Sequence, residues 1–304
     1  KRLGIDWVWC RIGVMKQFDK KELAKLYRPK KDSHKGQNGK LLVIGGSELF
    51  HSASLWALEV ASRMVDMVFY SSVPVNEEIV KKQKERFHDG IVVPEGKLDE
   101  YIKEADCVLI GPGMARHSPG KQVKVKDLRA FALKELIDEG ETEVVVNYLL
   151  KKYPKKKWVV DGGALQMMEK SLISQSMILT PHKKEYERLF GESHSRSVIE
   201  VAKKYDCTIV LKGEEDIICD SKECVVNTTG NEGMTKGGTG DVLAGLVAGL
   251  YCNNEAFLAA SAGVYINGLA GDRLYKKVGS YFNASDLMNE IPKVMALHSQ
   301  GKTS

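Results

Sequence analysis

An α/β fold, with a mostly parallel central sheet covered by helices on both faces, is predicted by three observations. Short apolar runs recur along the chain and stop at Gly or Asp. Helical stretches separate them, and no domain-sized linker interrupts the alternation. Strands that alternate with helices pair in parallel, because each helical crossover returns the chain to the same end of the sheet. With 304 residues and 43% hydrophobic content, the chain can bury one large core of this kind.

The elements follow in order. Residues 1–39 read as an N-terminal arm and connector: an aromatic opening with Trp7 and Trp9, a helical stretch near Lys20 to Leu26, and a polar run from Lys30 to Gly39. The regular domain is expected over 40–304. Its first strand is Leu41–Ile44, which ends at Gly45-Gly46-Ser47 and leads to a helix over Ala53–Val65. Val68–Ser71 is the next strand, and Cys107–Ile110 ends at Gly111-Pro112-Gly113. Val144–Leu150 reads as helix; Trp158–Val160 ends at Asp161, Met177–Leu179 at Thr180-Pro181, and Thr208–Leu211 at Lys212-Gly213. Asp216–Cys219 and Glu223–Asn227, joined by Asp220-Ser221-Lys222, read as a hairpin. Val242–Leu250 has helical periodicity. Ligands of parallel sheets bind beyond the carboxyl ends of the strands. Gly45, Gly113, Asp161, His182 and Lys212 all follow strand ends and are therefore expected to converge.

Composition excludes several classes. The net charge is only +5 and the lysines are scattered, which gives no basic face for nucleic acid. No apolar run reaches the ~18 residues of a membrane span, and the amino terminus lacks a signal-peptide pattern. A cytoplasmic protein is expected. The six cysteines form no CxxC pair, and Cys107 and Cys207 lie in apolar runs, so reduced thiols are expected. No cluster has structural-zinc spacing, and there is no GxxxxGK[ST] loop.

The most chemical segment is Asn231–Gly245. Glycines at 237, 238 and 240 bring backbone amides to the start of the Val242–Leu250 helix, where an anion such as phosphate is favoured. Asp241 beside them would repel a resting phosphate; it suits a base that takes a proton from a hydroxyl about to attack that phosphate. The alternative is a helix cap on a glycine-rich turn. Thr180-Pro181-His182-Lys183-Lys184-Glu185 reads as a helix start with Thr180 as N-cap and Pro181 in the first position. Capping leaves His182 open between a ligand contact and a solvated side chain, while Glu185 either orients a metal or water or complements the helix dipole. Lys212 reaches a phosphate or stands in solvent. Gly111-Pro112-Gly113 admits a ligand close to the backbone or is an ordinary turn. The small residues Ser52-Ala53-Ser54 leave the same choice between substrate room and a cap.

Together, Val43-Ile44-Gly45-Gly46-Ser47, Leu109-Ile110-Gly111-Pro112-Gly113, Thr180-Pro181-His182 with Glu185, Val210-Leu211-Lys212-Gly213 and Gly237-Gly238-Thr239-Gly240-Asp241-Val242-Leu243-Ala244-Gly245 resemble the NAD(P)H-hydrate dehydratases of the ribokinase-like superfamily. Ala262-Gly263-Val264-Tyr265 and Asn283-Ala284-Ser285-Asp286-Leu287 are similar to that family's closing elements. The likeness runs from about Gly36 to Val294 and implies a ribokinase-like three-layer sandwich. It also implies repair of damaged cofactor: dehydration of the S-epimer of NADHX or NADPHX with ADP or ATP, ADP being favoured, and with Mg²⁺. By this resemblance Ala53, Gly113, His182, Glu185 and Asp241 would contact the hydrated dinucleotide. Lys212, Gly213, Glu214, Glu215, Asp216, Gly237, Gly238, Thr239 and Gly240 would line the nucleotide site, with Asp241 as the base. Metal ligands on the protein stay unassigned.

The chain departs from the family pattern at Gly163, where a second acid is common, which puts any role of that acid in doubt. The arm of residues 1–39 is too short for the epimerase domain fused to many members, so epimerisation is expected to come from a separate epimerase or to belong to a segment absent from a truncated sequence. A homo-oligomer, a tetramer by resemblance, is also expected. Two other readings use the same anion hole: a small-metabolite kinase of the superfamily, and a catalytically silent nucleotide-binding protein.

Overall fold

Alternate side chains along the central strands point to opposite faces, and both faces are apolar. Leu41, Val43, Val68, Tyr70, Cys107, Leu109, Val159 and Ile178 enter one buried core. Their neighbours Leu42, Ile44, Phe69, Val108, Ile110, Trp158, Val160, Met177 and Leu179 enter the other. A sheet apolar on both sides must be covered on both sides, and helices cover it. The helices Ser52–Ala61, Thr239–Asn253, Ala256–Val278 and Ala284–Ser299 supply the first core; Leu98–Glu104, Thr142–Lys152, Gly162–Met167, Lys183–Phe190 and Val198–Tyr205 supply the second. The result is the expected three-layer α/β sandwich. The computed structural model describes residues 15–83, 87–94, 96–116, 137, 141–191 and 198–299.

The strands are β1 (Lys16–Gln17), β2 (Lys40–Ile44), β3 (Met67–Ser71), β4 (Gly90–Val92), β5 (Cys107–Ile110), β6 (Lys157–Val160), β7 (Met177–Leu179), β8 (Thr208–Leu211), β9 (Asp216–Cys219) and β10 (Cys224–Asn227). They lie in the order β1-β10-β9-β8-β7-β6-β5-β2-β3-β4. All neighbours are parallel except β8–β9 and β9–β10, which are antiparallel. The predicted hairpin is therefore present, its second strand starting one residue later than expected. The helix expected over Ala53–Val65 stops at Ala61, where the Arg63 and Met64 amides turn back to Val60 and Ala61 carbonyls.

Two features were not expected. β1 pairs with β10 at the sheet edge, and Phe18, Leu23 and Leu26 enter the first core, so the described part of the arm is packed against the domain. Trp7, Trp9 and Cys10 lie outside the described residues. The second feature corrects the expectation of reduced thiols. Cys219 and Cys224 stand directly opposite in the β9–β10 register and form a disulfide. Asp220 Oδ1 accepts the amides of Lys222 and Glu223, which fixes the turn that sets them facing. Cys107, Cys207 and Cys252 are free and buried. Among the described residues no helix is long and apolar enough to cross a membrane.

Candidate active site

β2, β5, β6, β7 and β8 are consecutive neighbours, so the residues after their carboxyl ends form a row along one edge of the sheet. Two clefts open on that edge. One, of about 730 Å³, is lined by Ala53, Gly113, His182, Glu185, Gly237, Gly238 and Asp241. The other, of about 740 Å³, is lined by Gly213, Glu214, Glu215, Asp216 and Thr239. Lys212 and Gly240 line both. Every residue expected to contact the dinucleotide or the nucleotide thus falls on one cleft or on their junction, whereas Gly45, also expected to converge there, lines neither and borders a separate small cavity with Gly46 and Met114.

The junction is a cluster of opposed charges. Asp161, 3% exposed, accepts the Lys212 ammonium at 2.9 Å and the Thr180 hydroxyl at 2.7 Å. Burial works against the charge on Lys212, but Asp161, Glu185 and Asp241 together hold its pKa above the ordinary lysine value. Burial and the negative charge of Asp161 push the Asp241 carboxyl up to about 7, against the pull of Lys212 and Arg116. A carboxylate with a pKa near neutrality is matched to taking a proton from a weakly acidic group and holding it.

Asp241 stands in the first turn of the Thr239–Asn253 helix. The amides of Gly240 and Asp241 in that turn have no acceptor within the helix, and the helix dipole adds partial positive charge there. The turn is fixed from below: the Thr239 hydroxyl donates to the Met234 carbonyl at 2.6 Å and the Lys236 carbonyl at 2.9 Å. It is also fixed from the side. Lys236 Nζ donates to the Ser280 and Phe282 carbonyls, and Trp56 Nε1 donates to Ser285 Oγ at 2.9 Å. Residues 280–285 thereby brace the glycine loop and the Trp56 ring beside Gly238.

The helix after β7 starts differently from the sequence expectation. It runs Lys183–Phe190 with His182, not Thr180, as its N-cap. Thr180 is drawn away because its hydroxyl serves Asp161, and Pro181 precedes the cap. His182 Nδ1 accepts the Glu185 amide at 3.1 Å, and Glu185 Oε2 accepts the His182 amide at 3.0 Å, a reciprocal capping box. Glu185 Oε1 also takes the Gln166 amide at 3.2 Å. Capping therefore accounts for Glu185 and for one nitrogen of His182, while the imidazole still lines the 730 Å³ cleft.

The fold leaves no room for a side chain at Gly163. A Cβ on Gly163 would lie 2.4 Å from the Met114 carbonyl oxygen and 3.1 Å from that of Ala115. Backbone occupies the space a side chain would need, and Asp161 is the acid that this turn presents to the cleft. The sequence reading marked Asp161 as a strand-end residue without giving it a role. It missed Arg116, His51 and Trp56 in the same cleft, and Thr228, Thr229, Gly230 and Asn267 in the other. Arg116 was within reach of the strand-end rule, being three residues past Gly113. The others come from loops and helices whose approach only the tertiary fold sets. Among the described residues no group of three or more His, Cys, Asp or Glu is arranged to hold a metal ion.

A parallel sheet with a shared cleft edge, a glycine loop and an acid at a helix start is the ribokinase-like arrangement. A ribokinase-like superfamily protein from Enterococcus faecalis shares the fold with a TM-score of 0.73 at 23% identity, over 93% of this chain and 96% of that one. The model of the NAD(P)H-hydrate dehydratase family matches residues 41–293, and the chain belongs to that family. It is 35% identical to a bifunctional NAD(P)H-hydrate repair enzyme from Methanocaldococcus jannaschii across 94% of its own length, but spans only 55% of that relative. It is 32% identical to an ADP-dependent (S)-NAD(P)H-hydrate dehydratase from Nitrosopumilus maritimus, covering 90% of this chain and 94% of the relative.

Proposed function

We propose that the protein uses ADP or ATP to dehydrate the S-epimer of hydrated NADH or NADPH, restoring the reduced cofactor. The observation that carries this reading is the junction: Lys212 and Gly240 line two clefts of similar size, and Asp241, with its carboxyl pushed up to about 7, lines one of them next to Gly240 at a helix N-terminus. One cleft takes the adenine nucleotide and the other the damaged dinucleotide. Family membership and the ADP-dependent relative support the pairing.

In this mechanism Asp241 removes the proton from the C6 hydroxyl of the hydrate as that oxygen attacks the terminal phosphoryl group. The bond from that phosphorus to the nucleotide breaks, leaving AMP from ADP or ADP from ATP. The Gly240 and Asp241 amides and the Lys212 ammonium face the charge on the moving phosphoryl group. Asp161 holds Lys212 in place and keeps the Asp241 proton affinity high. The lone pair of the ring nitrogen then expels phosphate from C6, and loss of a proton from C5 restores the dihydropyridine. Phosphate leaves where hydroxide would not, which is why a nucleotide is consumed.

The described acids do not form a cage for a resident metal. Mg²⁺ therefore belongs to this reading only as the companion of the nucleotide phosphates, its usual manner of binding, and no step is assigned to it. Tyr275, Val278 and Tyr281 stand exposed at the end of the Ala256–Val278 helix, which favours a homo-oligomer, with a tetramer as the expected form. Light scattering that finds a monomer at micromolar concentration would overturn that part. The protein acts in the cytoplasm, where these cofactors turn over, and works with an epimerase activity that supplies the S-epimer.

The test is absorbance at 340 nm after mixing the protein with acid-hydrated NADH, Mg²⁺ and either ADP or ATP. A nucleotide-dependent rise with release of inorganic phosphate is expected, and the donor giving the faster rise is the co-substrate. A flat trace with both donors, from protein shown to be folded, sinks the reading. Phosphate retained on a small metabolite would point to a kinase instead.

A further inference from the structure

A chain of hydrogen bonds ends at the wall of the 730 Å³ cleft. Asn76 is fully buried. Its Nδ2 donates to the Ser72 hydroxyl at 3.0 Å and to the Ser47 carbonyl at 3.4 Å. A carbonyl has no proton to give, and the Ser72 hydroxyl donates its own to the Gly45 carbonyl. The amide is therefore oriented without ambiguity, with Oδ1 on the side away from these partners. That oxygen lies 2.6 Å from His51 Nδ1. It can only accept, so Nδ1 carries the proton, and the neutral imidazole keeps a lone pair on Nε2. Gly46 makes the arrangement possible: its φ is +81°, and a Cβ there would lie 2.2 Å from Asn76 Nδ2.

His51 and His182 line the same cleft, and their hydrogen bonds fix opposite tautomers. His182 Nδ1 accepts an amide proton, so its neutral ring carries the proton on Nε2 and offers a donor. The His51 ring offers an acceptor. Among the described residues the tether to Asn76 engages only the other nitrogen.

We propose that His51 is a substrate-recognition residue, whose Nε2 accepts a hydrogen bond from an O–H or N–H group of the hydrated dinucleotide, with Asn76 as its positioning residue. The donor is a ribose hydroxyl or the carboxamide N–H. This inference rests on the proposed function and adds a contact that selects the dinucleotide over smaller hydroxylated metabolites.

The experiment measures KM and kcat for hydrated NADH, and melting temperature, in wild type, His51→Phe and His51→Gln. The phenyl ring keeps bulk and loses the acceptor. KM should rise about three- to tenfold, the worth of one neutral hydrogen bond, with kcat little changed, while the melting temperature falls because the buried Asn76 Oδ1 loses its donor. His51→Gln can place its carbonyl oxygen near the lost nitrogen and should recover most of the affinity. The hydrate of the reduced 3-acetylpyridine analogue, which lacks the amide N–H, separates the two donors. If the gap between wild type and His51→Phe vanishes with the analogue, the carboxamide is the partner; if it persists, a ribose hydroxyl is. Turnover by wild type with an unchanged KM in His51→Phe overturns this assignment alone. Absence of wild-type turnover overturns the proposed function, and this assignment with it.

Discussion

Asp241 and Glu290 are both carboxylates held inside the protein, and they titrate in opposite directions. Burial raises both. Asp241 ends at about 7 because Asp161 adds repulsion and the cations nearby only partly offset it. Glu290 ends at about 2 because Lys293, Lys277 and Arg273 overwhelm the cost of burial, each lying 2.9 Å from one of its oxygens. The difference teaches that company decides a buried acid's chemistry more than depth does. An acid ringed by cations is a structural tie between the Ala256–Val278 and Ala284–Ser299 helices. An acid facing another acid across a cleft is kept reactive.

The comparison breaks most decisively at Asp241 itself. Asp241→Asn should lower kcat about 10²- to 10⁴-fold, the usual worth of a positioned base, while nucleotide affinity measured by calorimetry stays close to wild type. A near-normal rate would remove Asp241 from the mechanism. The same variant carries a stability signature. The folded protein keeps the Asp241 proton up to about pH 7, whereas an unfolded chain releases it near pH 4. The stability from this group is present below pH 4 and is lost as pH rises through 7. Asp241→Asn should therefore melt no lower than wild type at pH 8.

Next in size is the pH profile. The free enzyme needs Asp241 ionised, so kcat/KM should fall toward a tenfold loss per pH unit below about pH 7. Asp161→Asn removes the repulsion and frees Lys212 from its partner, so the acid limb should move to lower pH. A limb that stays in place would show that Asp161 does not tune Asp241.

The smallest effect is at the other carboxylate. Glu290→Gln should leave kcat unchanged and cost about 1–3 kcal/mol of stability by denaturant titration at pH 7. Glu290 has its pKa lowered, so its stabilisation is present above about pH 4 and is lost as pH falls toward 2. The variant's deficit should therefore shrink over that window. A deficit that stays constant would mean the tie is packing and not charge.

The sequence made the two-core sheet legible because period-two apolar runs such as Leu41–Ile44 and Cys107–Ile110 are bounded by Gly or Asp, and both signals are local. It made the cleft residues legible because strand ends are local too. What stayed hidden depends on register and approach. Two-residue β1 and three-residue β4 are too short to show a period. The Cys219–Cys224 bond needs the strand register, which spacing alone does not carry. Thr180 looked like a cap because its sequence neighbours are cap residues, but Asp161, nineteen positions earlier, claims its hydroxyl. At Gly163 the Met114 carbonyl fills the space of a side chain, a contact set by the tertiary fold and not by the local sequence.

Lys212 lines both clefts with one ammonium group. Whatever binds on one side changes the field and the freedom of that group for whatever binds on the other. The two sites are thus thermodynamically linked, and linkage is reciprocal: the factor by which nucleotide alters affinity for the dinucleotide equals the factor in the reverse direction. On the proposed reading, which ligand occupies the free enzyme first is set by each concentration relative to its own Kd, and the commitment to react belongs to the ternary complex alone.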